Sequence, residues 1–322
     1  MVKKQLAPTR LQDQPKVVCL GSLNMDLVIQ VQAAPLEGET VEGQSIRYLP
    51  GGKGANQAVS CARQGARVCL LGRVGNDPYG NTLREALRQD SIATDGVQID
   101  PSEPTGVAMV LVDAGGLNRI VVIPGANGQL QLDEGQLRQE LGDAQFLVMQ
   151  FEVGMAQVLH AAKVAHQLGC KVVLNPSPAK ALPEELWAWV DTLIVNESEA
   201  YFLTGLRPDA DPQIAAEVGR RLHSKGVANV IVTLGAQGAV ATDSKRSTLH
   251  PAPQVLVVDT TAAGDTFLGA VTVALARNQS LTASVALGIS AASLCVQTLG
   301  AQPSIPTYDQ VLQISAPHWV CL

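Results

Sequence analysis

Short apolar runs alternate with stretches of helical period along most of this chain, and that alternation restricts the possible folds more than any other feature. Residues 16–20, 66–71, 146–150, 171–174, 193–195, 230–233 and 255–258 read as strands. Residues 55–64, 81–89 and 155–168 read as helices, the first and third stopped by Gly65 and Gly169. Gly75 to Gly80 reads as a turn ahead of the second helix. Strands separated by helices imply an α/β fold: a mostly parallel sheet with helices on both faces. Two stretches break the pattern. Residues 26–48 hold strand-like pieces at 27–31 and 40–42 and no good helix. Residues 105–124 read as a hairpin, with strands at 107–112 and 119–123 around a turn at Asp113 to Gly116. Together they suggest a small β appendage, which beside a site would act as a lid.

The 322 residues can bury a large core, and α/β units of this length are often one domain. Residues 16–322 are therefore read as a single domain. Residues 1–15 are polar, carry Pro8 and Pro15, and have no apolar signal core; they read as a flexible tail. Hydrophobic residues make up 46% and charged ones 16%, which excludes a disordered chain. A net charge of −6 and only 3% aromatics argue against nucleic acid or an anionic membrane as partner. A nucleotide remains compatible, because backbone dipoles and a metal can hold phosphate on an acidic protein. No uninterrupted apolar run is long enough for a membrane span. The six cysteines form no C-x-x-C pair and mostly lie in apolar runs, which reads as reduced thiols in a cytosolic protein. The five histidines show no ligand spacing, so a zinc site is not expected. Trp187 and Trp189 read as packing residues.

The stretch Asp259-Thr-Thr-Ala-Ala-Gly-Asp-Thr-Phe267 follows the run 255–258, read as a buried strand, and leads into an apolar helix. Three small residues, Ala262, Ala263 and Gly264, then stand where the helix begins. Nothing bulky covers the backbone N–H groups there, and helix N-termini attract anions. Asp265 follows at once. An anion cradle beside a carboxylate base is what transfer of a phosphoryl group to a hydroxyl requires. A small-residue packing turn gives the same letters.

Gly51-Gly-Lys-Gly-Ala-Asn-Gln57 precedes a helix but is neither common phosphate fingerprint. The pair Gly52-Lys53 is followed by Gly54, which fails the P-loop, and Gln57 stands where the dinucleotide motif needs its last glycine. That failure argues against an NAD-dependent oxidoreductase. The glycines still let a ligand approach the backbone, with Lys53 and Asn56 beside it. Asn24 and Asp26 follow the first strand, and Glu152 follows the strand ending at Gln150. Open α/β sheets place ligands at such strand ends, though these residues are also ordinary turn formers. Asn196-Glu-Ser-Glu199 has capping-box spacing at a helix start, the stronger reading of these letters; holding a hydrated metal with phosphate is the functional alternative. Thr233 to Gly238 is a glycine-bearing strand exit, able to carry a nucleotide or merely to turn.

In their order, these motifs closely resemble the PfkB-type carbohydrate kinases, and within them the branch that phosphorylates ribose, from about residue 17 to residue 306. Gly21-Ser-Leu-Asn-Met-Asp26, Pro124-Gly-Ala-Asn127, Asn175-Pro-Ser-Pro178 and Gly300-Ala-Gln-Pro-Ser304 extend the likeness. The resemblance implies an α/β core with a small β lid, often shared in a homodimer. It implies transfer of the ATP γ-phosphoryl group to the 5-hydroxyl of ribose, with Mg²⁺ and activation by K⁺. By resemblance Asp265 is the catalytic base, and Ala262, Ala263 and Gly264 form the anion hole. Asn24, Asp26, Gly52, Lys53, Asn56 and Glu152 match sugar-binding positions. Asn196, Thr233, Gly235 and Gly238 match nucleotide contacts, with Glu199 ordering the metal and its waters. Asp259, Thr261, Cys295, Thr298, Gly300 and Ser304 match a monovalent-cation loop, several of them through backbone carbonyls. Two positions depart: Ala263 stands where many members carry glycine, and Ile289 lies near a place where some relatives offer the nucleotide a polar side chain. Other members act on fructose, nucleosides or keto-deoxy sugar acids, and a non-catalytic sugar-binding protein could share the fold.

Overall fold

A computed structural model of the chain describes residues 14–115, 117–313, 320 and 321. The expected tail therefore lies outside the described residues up to position 13, as does the last residue of the lid turn, Gly116. In chain order the elements are β1 (Lys16–Leu20), β2 (Asn24–Val31), β3 (Gly43–Gly51), α1 (Lys53–Arg63), β4 (Arg67–Gly75), α2 (Pro78–Gln89) and β5 (Val97–Asp100). There follow β6 (Gly106–Val112), β7 (Asn118–Ile123), α3 (Glu134–Leu141), β8 (Phe146–Met149), α4 (Met155–Leu168), β9 (Lys171–Leu174), α5 (Glu184–Trp187) and β10 (Thr192–Val195). The remainder is α6 (Glu197–Thr204), α7 (Pro212–His223), β11 (Asn229–Thr233), β12 (Ala239–Thr242), β13 (Ser247–His250), α8 (Ala263–Ala276), α9 (Leu281–Cys295), α10 (Tyr308–Leu312) and β14 (Val320–Cys321).

Ten of these strands form one sheet in the order β14-β13-β12-β11-β10-β9-β8-β1-β4-β5. The run from β11 to β5 is parallel, as the alternation requires. The edge strands β12, β13 and β14 are antiparallel. They are only four, four and two residues long, too short to stand out in the sequence. Side chains of β1 alternate between two cores. Val18 and Leu20 pack on one face with residues of α4 and α7, and Val17 and Cys19 pack on the other with α1, α8 and α9.

The remaining strands make a separate sheet in the order β3-β2-β6-β7. The chain leaves the main sheet after β1 and enters this lid directly at Asn24. Asn24 pairs with Gly51 on one side and with Gly106 on the other. Both partners must be glycine. A Cβ on Gly51 would lie 2.1 Å from Asp26 Oδ2, and one on Gly106 would lie 2.3 Å from Asn24 Oδ1. On β7, Ile120, Val121, Val122 and Ile123 are all about half exposed.

Several boundaries differ from the sequence expectation. Helix α1 starts at Lys53 rather than residue 55, so Lys53 and Asn56 belong to its first turn. Helix α2 starts at Pro78 rather than residue 81, because Asp77 caps it by accepting from Gly80 N at 2.8 Å with proline at the first position. Asn24 and Asp26 lie within a lid strand, not in a turn after β1. Residues 40–42 lie outside β3, which instead runs on to Gly51. The run 255–258 is neither a strand nor buried: Leu256 is 80% exposed, and Val257 and Val258 are half exposed. Four apolar residues looked like a core strand, but they run beside a cavity.

The α1–α8 contact positions everything that follows. From Asp265 to Ala274, α8 is buried on all sides. The two helices approach so closely that Ser60 Oγ donates to Thr266 O at 3.0 Å, and a Cβ on Gly269 would stand 2.2 Å from Ser60 Oγ and 2.9 Å from Cys61 N. Gly269→Ala should therefore destabilise the protein by about 1–3 kcal/mol, the usual cost of overpacking, as read by urea denaturation. Wild-type stability in that variant would contradict the close approach of these helices.

Candidate active site

Asp265 sits in the first turn of α8, 8% exposed. Its Oδ2 accepts from Asn56 Nδ2 at 3.1 Å and its Oδ1 from Gln57 Nε2 at 2.9 Å. Both donors come from the first turns of α1, so helix packing delivers them to the carboxylate. Glu152, in the loop after β8, accepts from Ser22 Oγ in a short hydrogen bond and from Lys53 N at 3.4 Å. Gly52, with φ 90°, lets the chain enter α1 against Asn24; a Cβ there would lie 2.6 Å from Asn24 N. Asn127 ties the lid to the end of β1: it accepts from Leu23 N at 2.9 Å and donates to Asn24 Oδ1 at 2.9 Å.

The site gathers Asp26, Glu152, Asp265 and one cation, Lys53. Burial is the main cause that pushes Asp26 up to about 7, with Glu152 and Asp265 adding and Lys53 opposing. Burial alone would lower Lys53, but the carboxylates of Asp265, Glu152, Glu199 and Asp26 outweigh it and hold the ammonium above its ordinary value.

On the far side of α8's first turn lies a cavity of about 430 Å³. Ala263 and Gly264 close its inner end, and a Cβ on Gly264 would meet nothing within 4 Å. Ala262 holds a left-handed conformation, φ 60°, which costs a non-glycine residue about 1–2 kcal/mol. In this turn Ala263 N donates to Thr260 O at 3.2 Å and Thr266 N to Ala262 O at 2.8 Å. Thr233, Gly235, Gly238, Val255 and Val257 also line the cavity, with Phe267, Ile289 and Ser293 from α8 and α9. Asn196 and Glu199 do not line this cavity. They form the capping box of α6, in which Glu199 N donates to Asn196 Oδ1 and Asn196 N to Glu199 Oε2. Glu199 also accepts from Asn175 Nδ2 at 3.0 Å, which brings in a residue of Asn175-Pro-Ser-Pro178.

The expected cation-loop residues converge. Asp259 Oδ1 accepts from the Thr261 amide and hydroxyl, and its Oδ2 accepts from Gly300 N at 2.8 Å. Burial pushes the Asp259 carboxyl up, but those three donors outweigh it and hold it below the ordinary range. Cys295 Sγ lies 3.0 Å from Ser304 Oγ and 3.7 Å from Thr261 O. Thr298 N donates to Cys295 O at 3.1 Å. Among the described residues no group of three or more His, Cys, Asp or Glu side chains could hold a metal by itself. No described helix is long and apolar enough to cross a membrane, and Cys19, Cys61, Cys69, Cys170 and Cys295 are unpaired and buried.

Ser22, Gln57 and Gln150 were not singled out from sequence as site residues. Gln57 had a signal: a glutamine within the second turn of a helix, on its buried side, beside Asn56.

A family model described as pfkB family carbohydrate kinase matches residues 14–308. The chain belongs to this family. Its relatives include the ribokinase of Haemophilus influenzae, 39% identical over 91% of this chain and 96% of that protein. The ribokinase of Schizosaccharomyces pombe is 37% identical over 92% of this chain and 96% of its own. Among solved structures, Arabidopsis thaliana ribokinase complexed with ribose and ATP superposes with a TM-score of 0.86 at 33% identity, covering 93% of this chain and 98% of that one. For this pfkB kinase, the raised Asp26 has a thermodynamic consequence. An acid raised in the native state supports folding below its unfolded value, 3.8, and loses that contribution as pH rises to about 7. Wild type should lose stability across that window, and Asp26→Asn should lose less, as compared by urea midpoints at about pH 4 and about pH 8. Equal losses in the two proteins would contradict the burial of Asp26.

Proposed function

We propose that this pfkB kinase transfers the γ-phosphoryl group of ATP to the 5-hydroxyl of D-ribose, giving ribose 5-phosphate and ADP. The observation that carries the reading is the first turn of α8. There Asp265 is held by Asn56 and Gln57 of α1, and the neighbouring Ala263 and Gly264 line the cavity. Two reactants that meet across that turn meet at the base and the anion hole together.

Asn24, Asp26, Lys53, Asn56 and Glu152 bind the sugar hydroxyls, and Gly52 lets the sugar reach the backbone. Hydrogen bonds between several hydroxyls and the carboxyl groups of Asp26 and Glu152 suit a polyol better than an apolar substrate. Asp265 takes the proton of the primary hydroxyl as its oxygen bonds to phosphorus and the bond to the leaving ADP oxygen breaks. A carboxylate is a weak base for an alcohol, so positioning and charge stabilisation carry most of the rate. The N–H groups of Ala262, Ala263 and Gly264 at the positive end of α8 stabilise the transferring group. The lid, β2, β3, β6 and β7, excludes water that would otherwise take the phosphoryl group.

Thr233, Gly235 and Gly238 hold the nucleotide in the 430 Å³ cavity, with Asn196 at its phosphate end. Mg²⁺ bound with the nucleotide would supply neutralisation of phosphate charge. The hard oxygen donors of Asn196 and Glu199 fit a hydrated ion of this kind. K⁺ suits the loop of Asp259, Thr261, Cys295, Thr298, Gly300 and Ser304. That loop pairs one carboxylate kept ionised with carbonyl and hydroxyl oxygens, and it joins the head of α8 through residues 259–262. The half-exposed apolar strand β7 suits a homodimer through the lid, and the unpaired buried thiols suit the cytosol.

Asp265→Asn should fold normally yet lose sugar-dependent ADP release by at least about 10²-fold, the scale of general-base catalysis. Near-normal turnover would overturn the role given to Asp265. Within a panel of ribose, fructose, nucleosides and keto-deoxy acids, ribose should give the highest kcat/KM. Turnover should also be faster, or binding tighter, in K⁺ than in Na⁺; indifference to the cation would remove the loop assignment.

A further inference from the structure

Gln57 and Gln150 are both 0% exposed, and no step above uses them. Gln57 Nε2 donates to Asp265 Oδ1 at 2.9 Å, and Gln57 Oε1 in turn accepts from Gln150 Nε2 at 2.5 Å. We propose that these two glutamines form a relay that holds Asp265 in its reactive orientation, with Gln57 as the positioning residue and Gln150 as its support. The proposal rests on the assignment of Asp265 as base.

Three observations converge on it. First, a carboxylate base only accepts hydrogen bonds, so Gln57 must turn its NH₂ toward Asp265. Its carbonyl oxygen is then left needing a donor in a fully buried place, and Gln150 supplies one. Each amide thus fixes the direction of the next. Second, the carboxylate is bracketed by one donor per oxygen, Asn56 on Oδ2 and Gln57 on Oδ1. Rotation of the carboxylate would break both bonds, so its plane is fixed before substrate binds. Third, the arrangement costs burial. Gln150 Oε1 has no hydrogen-bond partner among the described residues. The side chain also fills the space where a Cβ on Gly21 would stand, 2.0 Å from Gln150 Oε1. Two buried amides and an unpaired oxygen are expensive where an apolar pair would pack freely. Asp265 is the group at the end of the chain that gains from them.

Neither glutamine is among the residues assigned to bind sugar. A positioning role therefore predicts a loss in kcat with KM for ribose little changed. Gln57→Leu should lower kcat by about 10- to 100-fold, the scale of one hydrogen bond to a charged group. Gln57→Glu, the same shape with no donor and an added charge, should lower it further. Gln150→Leu should cost less. In the Gln57→Leu background it should cost nothing more, because the support no longer has anything to hold. Gln150→Asn and Gln57→Asn are too short to span the gap and should not rescue, whereas restoring glutamine does. Wild-type kcat in a folded Gln57→Leu variant, or losses that simply multiply in the double variant, would overturn the relay.

A wild-type protein that leaves ribose unphosphorylated would strike the substrate reading instead. The relay is then read without turnover, from urea midpoints of Gln57→Leu, Asp265→Ala and the double variant. A shift in the double variant smaller than the sum of the single shifts supports the hydrogen-bonded chain, and additive shifts overturn it.

Discussion

The close packing of α1 on α8 is the contact on which the site depends. It is possible because the touching surfaces are made of Ser60, Cys61 and Gly269, and because Gly54 lets the head of α1 lie against Gly21 and Ser22, where a Cβ would come within 2.4 Å of Gly21 C. Neither helix owns the site. Helix α8 brings a carboxylate and a first turn of small residues, Ala263 and Gly264, and α1 brings the donors that hold the carboxylate in place. An increase of one methyl group in the seam would move Asn56 and Gln57 relative to Asp265, and near-attack geometry does not survive displacements of that size.

A second constraint is the separation of charge across one helical turn. On one side stand the carboxyl groups of Asp26, Glu152 and Asp265 with Lys53. On the other side, among the described residues, no acid lines the cavity, which is walled by small, apolar and uncharged polar residues. A phosphate chain would be repelled from the first compartment and welcomed in the second. Asp26, raised to about 7 in the empty pocket, fits the same division, because it gains most when hydroxyl donors replace lost water.

Much of this was legible in the sequence, and the exceptions have physical reasons. The parallel sheet followed from β1, β8, β9, β10 and β11, whose apolar runs are bounded by glycine or polar residues. The lid hairpin β6–β7 followed from alternation around Asp113. Edge strands β12 and β13 carry small or polar residues such as Ala239 and Ser247, which leave no period to read. Val255–Val258 misled because an apolar run that walls an apolar cavity has the same letters as a core strand. Of the candidate site residues, Asp265 and Asn56 are hydrogen-bonded partners, and Asp259, Thr261 and Gly300 share one carboxylate. Gln57 and Gln150 could not be paired from sequence, since 93 positions separate them and only the folded chain brings the residue after β8 beside α1.

The most direct test of the account is the identity of the product. Purified protein with ribose, ATP, Mg²⁺ and K⁺ is followed by ³¹P NMR with proton coupling. The account predicts a phosphomonoester signal split by the protons of a methylene carbon, as for phosphate on the primary hydroxyl. A signal split by a single proton, as for phosphate on the anomeric carbon or a ring hydroxyl, or release of inorganic phosphate alone, would contradict it.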